Sequence, residues 1–374
     1  MFINSLRHSL CDSVIFFYLN YCMNTKSLPQ KGRGAQSNLT NRYSKLNYDD
    51  IEFIEEEDAK IIQTKYIEVF PKTIVNPVKS TDIPMDYSMN PYEGCEHGCS
   101  YCYARNTHPY WGYNAGLDFE RVILVKKNAP ELLRKTISKK TWKVSPIMFS
   151  GNTDCYQPIE KKLEISRQLL QILLEHKHPV GIITKNSLIQ RDIDILQELA
   201  ALNLVSAVIS ITTLNEELRR KMEPRTSTAQ KRLETVEALT KAGIPVMVNI
   251  APIIPGLNDT EIFSIAKASA EHGALNINYT IIRLPGEVEQ VFTNWLEEAF
   301  PLRKDKVLHQ VASIHGGRIQ DQKTGRRMRG EGAFAESIRQ QVQLARNKFS
   351  LNNKFPKMNC DIFDPKVNGQ ISLF

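Results

Sequence analysis

The sequence predicts an α/β protein built as an open, partial (β/α)6 barrel, with a mostly extended N-terminal segment and a helical C-terminal extension. Three observations carry that expectation. From Tyr87 onward, short apolar runs alternate with longer amphipathic ones, the pattern of parallel strands joined by helical crossovers. Roughly six such units fit between residues 87 and 290, too few for a closed eight-fold barrel and enough for an open one. The composition, 42% hydrophobic and 24% charged in 374 residues, is that of a globular chain long enough to bury a large core without disulfides.

The elements follow in order. Residues 146–149 read as a strand, and 159–175 as a helix with Leu163, Leu169, Leu170, Leu173 and Leu174 at helical spacing. Residues 180–184 are a strand and 193–202 a helix; 204–211 is a β-branched strand, and 229–242 a helix closed by Gly243. Residues 244–250 are a strand, 259–272 a helix that Asn258 or Asp259 can cap, and 275–282 a further strand. Around this barrel at 87–290, residues 1–40 read as poorly ordered, 41–86 as an extension leading in, 291–355 as a helical and basic region, and 356–374 as a tail.

No apolar run approaches the roughly 20 residues that span a bilayer, so a soluble, cytoplasmic protein is expected. The run Val14-Ile15-Phe16-Phe17-Tyr18-Leu19 is too short for a secretory leader. A start codon placed too far upstream is another origin for residues 1–22. The formal charge of +7 favours polyanionic partners. Arg318, Lys323, Arg326, Arg327 and Arg329 crowd one stretch, either a solvated loop or an anion site. Seven cysteines, an odd number, point to a reducing compartment where cysteine is ligand or reagent.

One constellation dominates. Cys95, Cys99 and Cys102 are spaced C-x3-C-x2-C within Cys95-Glu96-His97-Gly98-Cys99-Ser100-Tyr101-Cys102. A loop this short can aim three thiolates at one inorganic centre. A cubane iron–sulfur cluster ordinarily takes four thiolates; three leave one iron open to a non-protein ligand. The alternative is structural zinc held by the three cysteines plus His97 or His108, in a nucleic-acid-binding protein without catalysis. Gly330-Glu331-Gly332-Ala333-Phe334-Ala335 is a weak glycine pattern that could present a helix start to phosphate. Arg225, after Glu223-Pro224, either faces an anionic group or makes a loop ion pair.

The cysteine spacing, with an aromatic Tyr101 before the last cysteine, resembles the signature of radical S-adenosylmethionine enzymes, whose partial TIM-like barrel agrees with the alternation above. Gly32-Arg33-Gly34-Ala35, Thr153-Asp154, Thr184-Lys185, Ser210 and Ala251-Pro252-Ile253 are similar to the spore-photolyase-like branch, often labelled DNA repair photolyase. The resemblance implies a [4Fe–4S] cluster on Cys95, Cys99 and Cys102, with S-adenosylmethionine contacted by Tyr101, Thr153, Lys185, Ser210 and the Ala251 backbone. It implies reductive cleavage of that cofactor to a 5′-deoxyadenosyl radical acting on a macromolecule: DNA in lesion repair, or alternatively RNA or protein. An electron donor such as flavodoxin or ferredoxin follows from the same chemistry. The hydrogen-returning cysteine of spore photolyase falls at Gly151 here; Cys155, one residue past Asp154, is either a displaced hydrogen donor or a small buried hydrophobe. Cys11, Cys22 and Cys360 have no ligand spacing, so no auxiliary cluster is expected. Finally, Gln370, Leu373 and Phe374 at the C-terminus resemble the peptide by which bacterial proteins dock on the DNA sliding clamp; folding back onto the barrel is the competing expectation.

Overall fold

The computed structural model describes residues 32–43, 63–83, 85–321 and 323–366. The expectations for residues 1–22 and for Gln370, Leu373 and Phe374 fall outside them. The described chain runs through β1 (Lys65–Val69), β2 (Val75–Pro77), β3 (Tyr87–Met89), β4 (Tyr92–Glu93), β5 (Val122–Lys126) and α1 (Ala129–Ile137). Then β6 (Ile147–Phe149), α2 (Ile165–Glu175), β7 (Val180–Thr184), α3 (Ile193–Ala201) and β8 (Val205–Ser210) alternate. Two helices, α4 (Glu216–Met222) and α5 (Ala229–Lys241), lead to β9 (Val246–Ile253), α6 (Ile262–Glu271) and β10 (Asn276–Ile281). The helices α7 (Val288–Ala299), α8 (Lys304–Ile314) and α9 (Gly332–Lys348) follow.

Strands β10, β9, β8, β7, β6 and β3 lie side by side in parallel, and β2 pairs antiparallel with β3. These six parallel strands are the six units that the alternation predicts. Strands β7 and β8 bury one face through Val180, Ile182, Ala207 and Ile209 and the other through Gly181 and Ser206, as parallel strands flanked by helices do. Helix α2 turns Ile165, Leu169, Leu170, Ile172 and Leu173 onto the sheet. Each such side chain contributes about 1.5–3 kcal/mol by leaving water.

Three expectations need correction. The helix over 159–175 is broken at Glu164, whose φ of 51° separates Glu160–Leu163 from α2. The cause is the buried Glu160 carboxylate, which accepts the Ser166 N–H at 3.1 Å and so caps α2 from outside. The extension before the barrel is not simply extended: β1 pairs in parallel with β5, and with β4 they form a three-stranded sheet. The basic run is no free patch. Arg326 bonds Asp321 and Glu331 at 2.6 Å, Arg327 bonds Asp82 at 2.6 Å, and Arg329 donates to the Tyr279 carbonyl at 2.7 Å. The start of α9 likewise carries Glu331 and Glu336 beside its glycines, which opposes a phosphate there.

At the amino ends of the strands, residues 359–364 return to the sheet. Asn359 N–H donates to the Asn203 carbonyl (2.8 Å) and Asp364 N–H to that of His176 (2.9 Å). Phe363 packs edge-on against His178, whose Nε2 accepts the Trp142 indole N–H at 3.2 Å. No helix among the described residues is long and apolar enough to cross a membrane.

Candidate active site

The carboxyl ends of parallel barrel strands are where sites are built, and here they meet the cysteine loop. The loop leaves β4 and passes directly into a 3-10 helix, Tyr103–Trp111. It contains almost no regular structure, so the rest of the protein shapes it. Cys95 N–H donates to the Phe119 carbonyl at 2.8 Å and Ser100 N–H to that of Met222 at 3.1 Å. The Arg105 guanidinium, fully buried, takes the Cys99 carbonyl at 2.9 Å and the Glu120 carboxylate at 2.5 Å. Glu120 also accepts the N–H groups of Gly34 (3.1 Å) and Ala35 (2.7 Å), which lays residues 32–35 across the loop. A Cβ at Gly34 would stand 1.7 Å from the Gly98 carbonyl oxygen, so only glycine fits that crossing. Arg225 donates to the Gly32 carbonyl (3.2 Å) and stands 3.7 Å from Glu96; it is a loop ion pair.

Cys95, Cys99 and Cys102 line one cavity together with Tyr101, Lys185 and Ser210. Burial, then the neighbouring charges of Asp154 and the other two cysteines, pushes the Cys95 thiol well up. Burial and the Glu223 charge push Cys99 up to about 12. For Cys95 and Cys99, a positively charged centre in the cavity would oppose that shift.

The zinc alternative does not fit. No three His, Cys, Asp or Glu side chains among the described residues converge as a single ion requires. His97 has both nitrogens engaged, Nδ1 at 3.4 Å from Asp154 and Nε2 at 3.2 Å from the Asn186 amide. His108 is buried between Tyr113 and Phe119, outside the cavity wall, and burial lowers its pKa to about 4.

Asp154 is the hub of the far wall. It accepts the Thr184 hydroxyl (2.7 Å) and the N–H groups of Lys185 (2.8 Å) and Tyr156 (2.9 Å). Burial alone would raise its carboxyl, but the His97 imidazole and these donors hold it down to about 2. Behind Tyr101 lies Glu223, which sequence reasoning missed as a site residue. It is fully buried and accepts the Tyr101 hydroxyl, the Thr212 hydroxyl (2.6 Å) and the Arg232 guanidinium (2.6 Å). Burial opposes its charge, yet Arg232 and Lys185 hold it down to about 2. Nothing local marks Glu223 in the sequence; its role comes from β8 and α5 bringing Thr212 and Arg232 together.

The other carried-over positions divide. The Lys185 ammonium makes no hydrogen bond or ion pair among the described residues and stands 5.8 Å from the Tyr101 ring centre. Ser210 opens to the same cavity. Thr153 points elsewhere, its hydroxyl donating to the Tyr92 carbonyl at 2.7 Å, while its neighbours Asn152 and Asp154 form the wall. The Ala251 carbonyl accepts the Thr212 hydroxyl at 3.1 Å and lies outside the wall. Cys155 is a correction to the hydrogen-donor reading: it is fully buried in the core and absent from the cavity, because its backbone is pinned by Ser150 (2.7 Å) and Ser166 (2.6 Å). Gly151, where the photolyase cysteine would fall, accepts the Tyr103 hydroxyl through its carbonyl.

Comparison with known proteins decides the family. The Radical SAM superfamily model matches residues 89–268. An uncharacterized protein of Mycobacterium tuberculosis is 32% identical over 237 residues, covering 63% of this chain and 70% of that one. The chain belongs to the radical SAM superfamily. It is thus a radical SAM enzyme, with a [4Fe–4S] cluster and S-adenosylmethionine as cofactors. A Pseudomonas phage M6 protein named radical SAM Nalpha-GlyT isomerase is 27% identical over 169 residues, 45% of this chain and 33% of that protein. Spore photoproduct lyase complexed with dinucleoside spore photoproduct shares the fold, with a TM-score of 0.57 over 76% of this chain and 79% of that one at 16% identity.

In this radical SAM enzyme Cys95, Cys99 and Cys102 are the three thiolates that would hold the cluster. When bound, cluster and cofactor together supply a hydrogen-abstracting radical. Of the chain's own groups, Lys185 and Ser210 face this cavity and would be the ones to meet the cofactor, while Glu223 holds Tyr101 in place.

Proposed function

We propose that this enzyme abstracts a hydrogen atom from a nucleotide within nucleic acid, DNA being the favoured substrate and lesion repair or base modification the outcome. The observation that carries this reading is the composition of one cavity. Three thiols, the Lys185 ammonium, which makes no hydrogen bond or ion pair among the described residues, and the Ser210 hydroxyl face the same space at the barrel mouth. Support for the substrate class comes from the barrel shared with spore photoproduct lyase, which was captured with a dinucleoside lesion. With Cys155 sealed and Gly151 in the photolyase position, the reading leaves out hydrogen return by a thiol at that place. It requires a one-electron donor such as flavodoxin or ferredoxin. Docking of Gln370, Leu373 and Phe374 on a sliding clamp would bring the enzyme to DNA; anisotropy of a labelled C-terminal peptide against purified clamp tests that part.

The central test follows deuterium from labelled DNA, RNA and protein into 5′-deoxyadenosine under anaerobic turnover. Transfer from nucleic acid supports the reading. Transfer from protein alone overturns it.

A further inference from the structure

A rim of exposed rings and one uncompensated guanidinium adjoins the cysteine cavity. Arg283, just past β10, lies with its guanidinium carbon 4.4 Å from the ring centre of Tyr103, and Tyr103 is itself a wall of that cavity. On its other side Arg283 opens to a second cavity, lined also by Arg42, Asn106, Asp321 and Arg327. The carboxylates nearest this cavity each face an arginine other than Arg283. Asp321 is held by Arg326, Asp82 by Arg327, and Glu287 faces Arg42 at 3.6 Å. Arg283 makes no hydrogen bond and no direct ion pair among the described residues; it packs on the Tyr103 ring and feels the Asp82 charge, itself bonded to Arg327, at longer range. Burial lowers its pKa and the Arg327 charge adds to that, against opposing contributions from Tyr103, Cys102 and Asp82; an anion in this cavity would offset the burial and the Arg327 charge.

Arg42 links this cavity to two tyrosines. Its guanidinium carbon lies 4.9 Å from the Tyr43 ring centre and 6.0 Å from that of Tyr110. The two rings lie 5.0 Å apart at 30°, yet Tyr43 is 52% and Tyr110 70% exposed. They are not loose: Asn41 donates to the carbonyls of Pro109 (3.3 Å) and Tyr113 (3.1 Å), tying the 41–43 segment to the 3-10 helix. Large rings held in place in water with open faces cost solvation unless something flat covers them.

We propose that this rim binds an unpaired stretch of nucleic acid, one phosphodiester lying against Arg283 and adjoining bases stacking on Tyr43 and Tyr110. The inference rests on the nucleic-acid reading of the substrate and gives it a place on the protein. Phosphates alone would suit a duplex equally well. Open ring faces reward only bases released from a duplex stack, since every free base offers a π-face. A strand bound this way enters past Tyr103, the residue next to the cluster ligand Cys102.

The test is fluorescence anisotropy with the full-length, cluster-loaded protein under anaerobic conditions. The probes are fluorescein-labelled dT10, rU10 and a 10-base-pair duplex, with polyglutamate as competitor. A single strand should bind more tightly than the duplex; dT10 against rU10 distinguishes DNA from RNA, and preference for either supports the proposal. Arg283→Ala should weaken binding about tenfold and reduce the salt slope by roughly one unit. Tyr110→Ala should weaken it about tenfold with the slope unchanged, and Tyr110→Phe should restore it. Arg339→Ala, which removes an equal charge from an exposed pair with Glu336, should have no effect. Equal affinity for the duplex, wild-type binding by both Arg283→Ala and Tyr110→Ala, an equal loss in Arg339→Ala, or displacement by polyglutamate would each overturn the proposal. The deuterium experiment separates the two claims: transfer from DNA with rim variants unaffected removes only the rim, whereas rim-dependent binding without transfer removes only the substrate reading.

Discussion

The two ends of the same parallel sheet are built on opposite principles. At the carboxyl ends, Asp154 is bonded by Thr184 and two backbone N–H groups and Glu223 by Arg232, while Lys185 and the three thiols face a cavity. At the amino ends the chain closes on itself. Trp142 stacks on Tyr87 with ring centres 4.5 Å apart, His178 lies between Trp142 and Phe363, and the returning tail bonds to His176 and Asn203. Among the described residues, one end opens its polar groups to a cavity and the other turns them onto the returning chain. Conservative changes should therefore dissociate cleanly, with chemistry lost at one end and stability at the other.

The largest effect belongs to Cys99→Ala, which should abolish iron incorporation and bring 5′-deoxyadenosine formation to background. Cleavage at the wild-type rate would sink the cluster assignment. Next comes Lys185→Ala. Its ammonium makes no hydrogen bond or ion pair among the described residues, so the melting temperature should stay put. Half-saturation for S-adenosylmethionine should rise by about 10–100-fold, the equivalent of one charge-assisted hydrogen bond. A large drop in melting temperature would show that the open end also holds the fold.

The closed end is broken by acid. His178 donates through Nδ1 to the Pro179 carbonyl and accepts from Trp142 at Nε2, a bonding pattern that requires the neutral ring. Burial lowers its pKa to about 4 from 6.5. Below 6.5 the unfolded chain therefore takes up a proton that the folded one refuses. Stability is fully present above pH 6.5 and falls as the pH drops toward 4, by up to about 2 kcal/mol between 6.5 and 5. His108 titrates in the same window at the other end, so the readout is the difference between wild type and His178→Gln in chemical denaturation. The slope should be shallower in the variant, and parallel curves would contradict the assignment.

Trp142→Phe, which removes one buried indole donor, should cost about 1 kcal/mol while cofactor cleavage per folded molecule stays unchanged. The smallest effect is expected of Cys155→Ala, with cleavage and iron content retained and stability lower by about 1 kcal/mol. Iron loss there would make Cys155 a ligand.

How much of this was legible in the sequence follows from the range of the interactions. Strands β6 to β10 could be read because each carries its own apolar run, and the cysteine triad because its spacing is local. The break at Glu164 was hidden, since it is set by a carboxylate capping a helix start through Ser166. Strand β1 was hidden because its partner β5 lies 57 positions on in register, Lys65 opposite Val122. The basic run misled for the same reason: Asp82, which holds Arg327, is 245 residues away. Thr153 shows the limit of positional analogy, its hydroxyl bonded to the Tyr92 carbonyl while its neighbours line the cavity.

Residues 32–35 cross the outer side of the cysteine loop so closely that Gly34 leaves no room for a side chain beside Gly98. That crossing shields one flank of an air-sensitive centre with backbone from far upstream. A shortened form lacking it would leave the cluster open to dissolved oxygen from behind as well as through the mouth. The rate at which the protein bleaches in air would then report on a segment that carries none of the ligands.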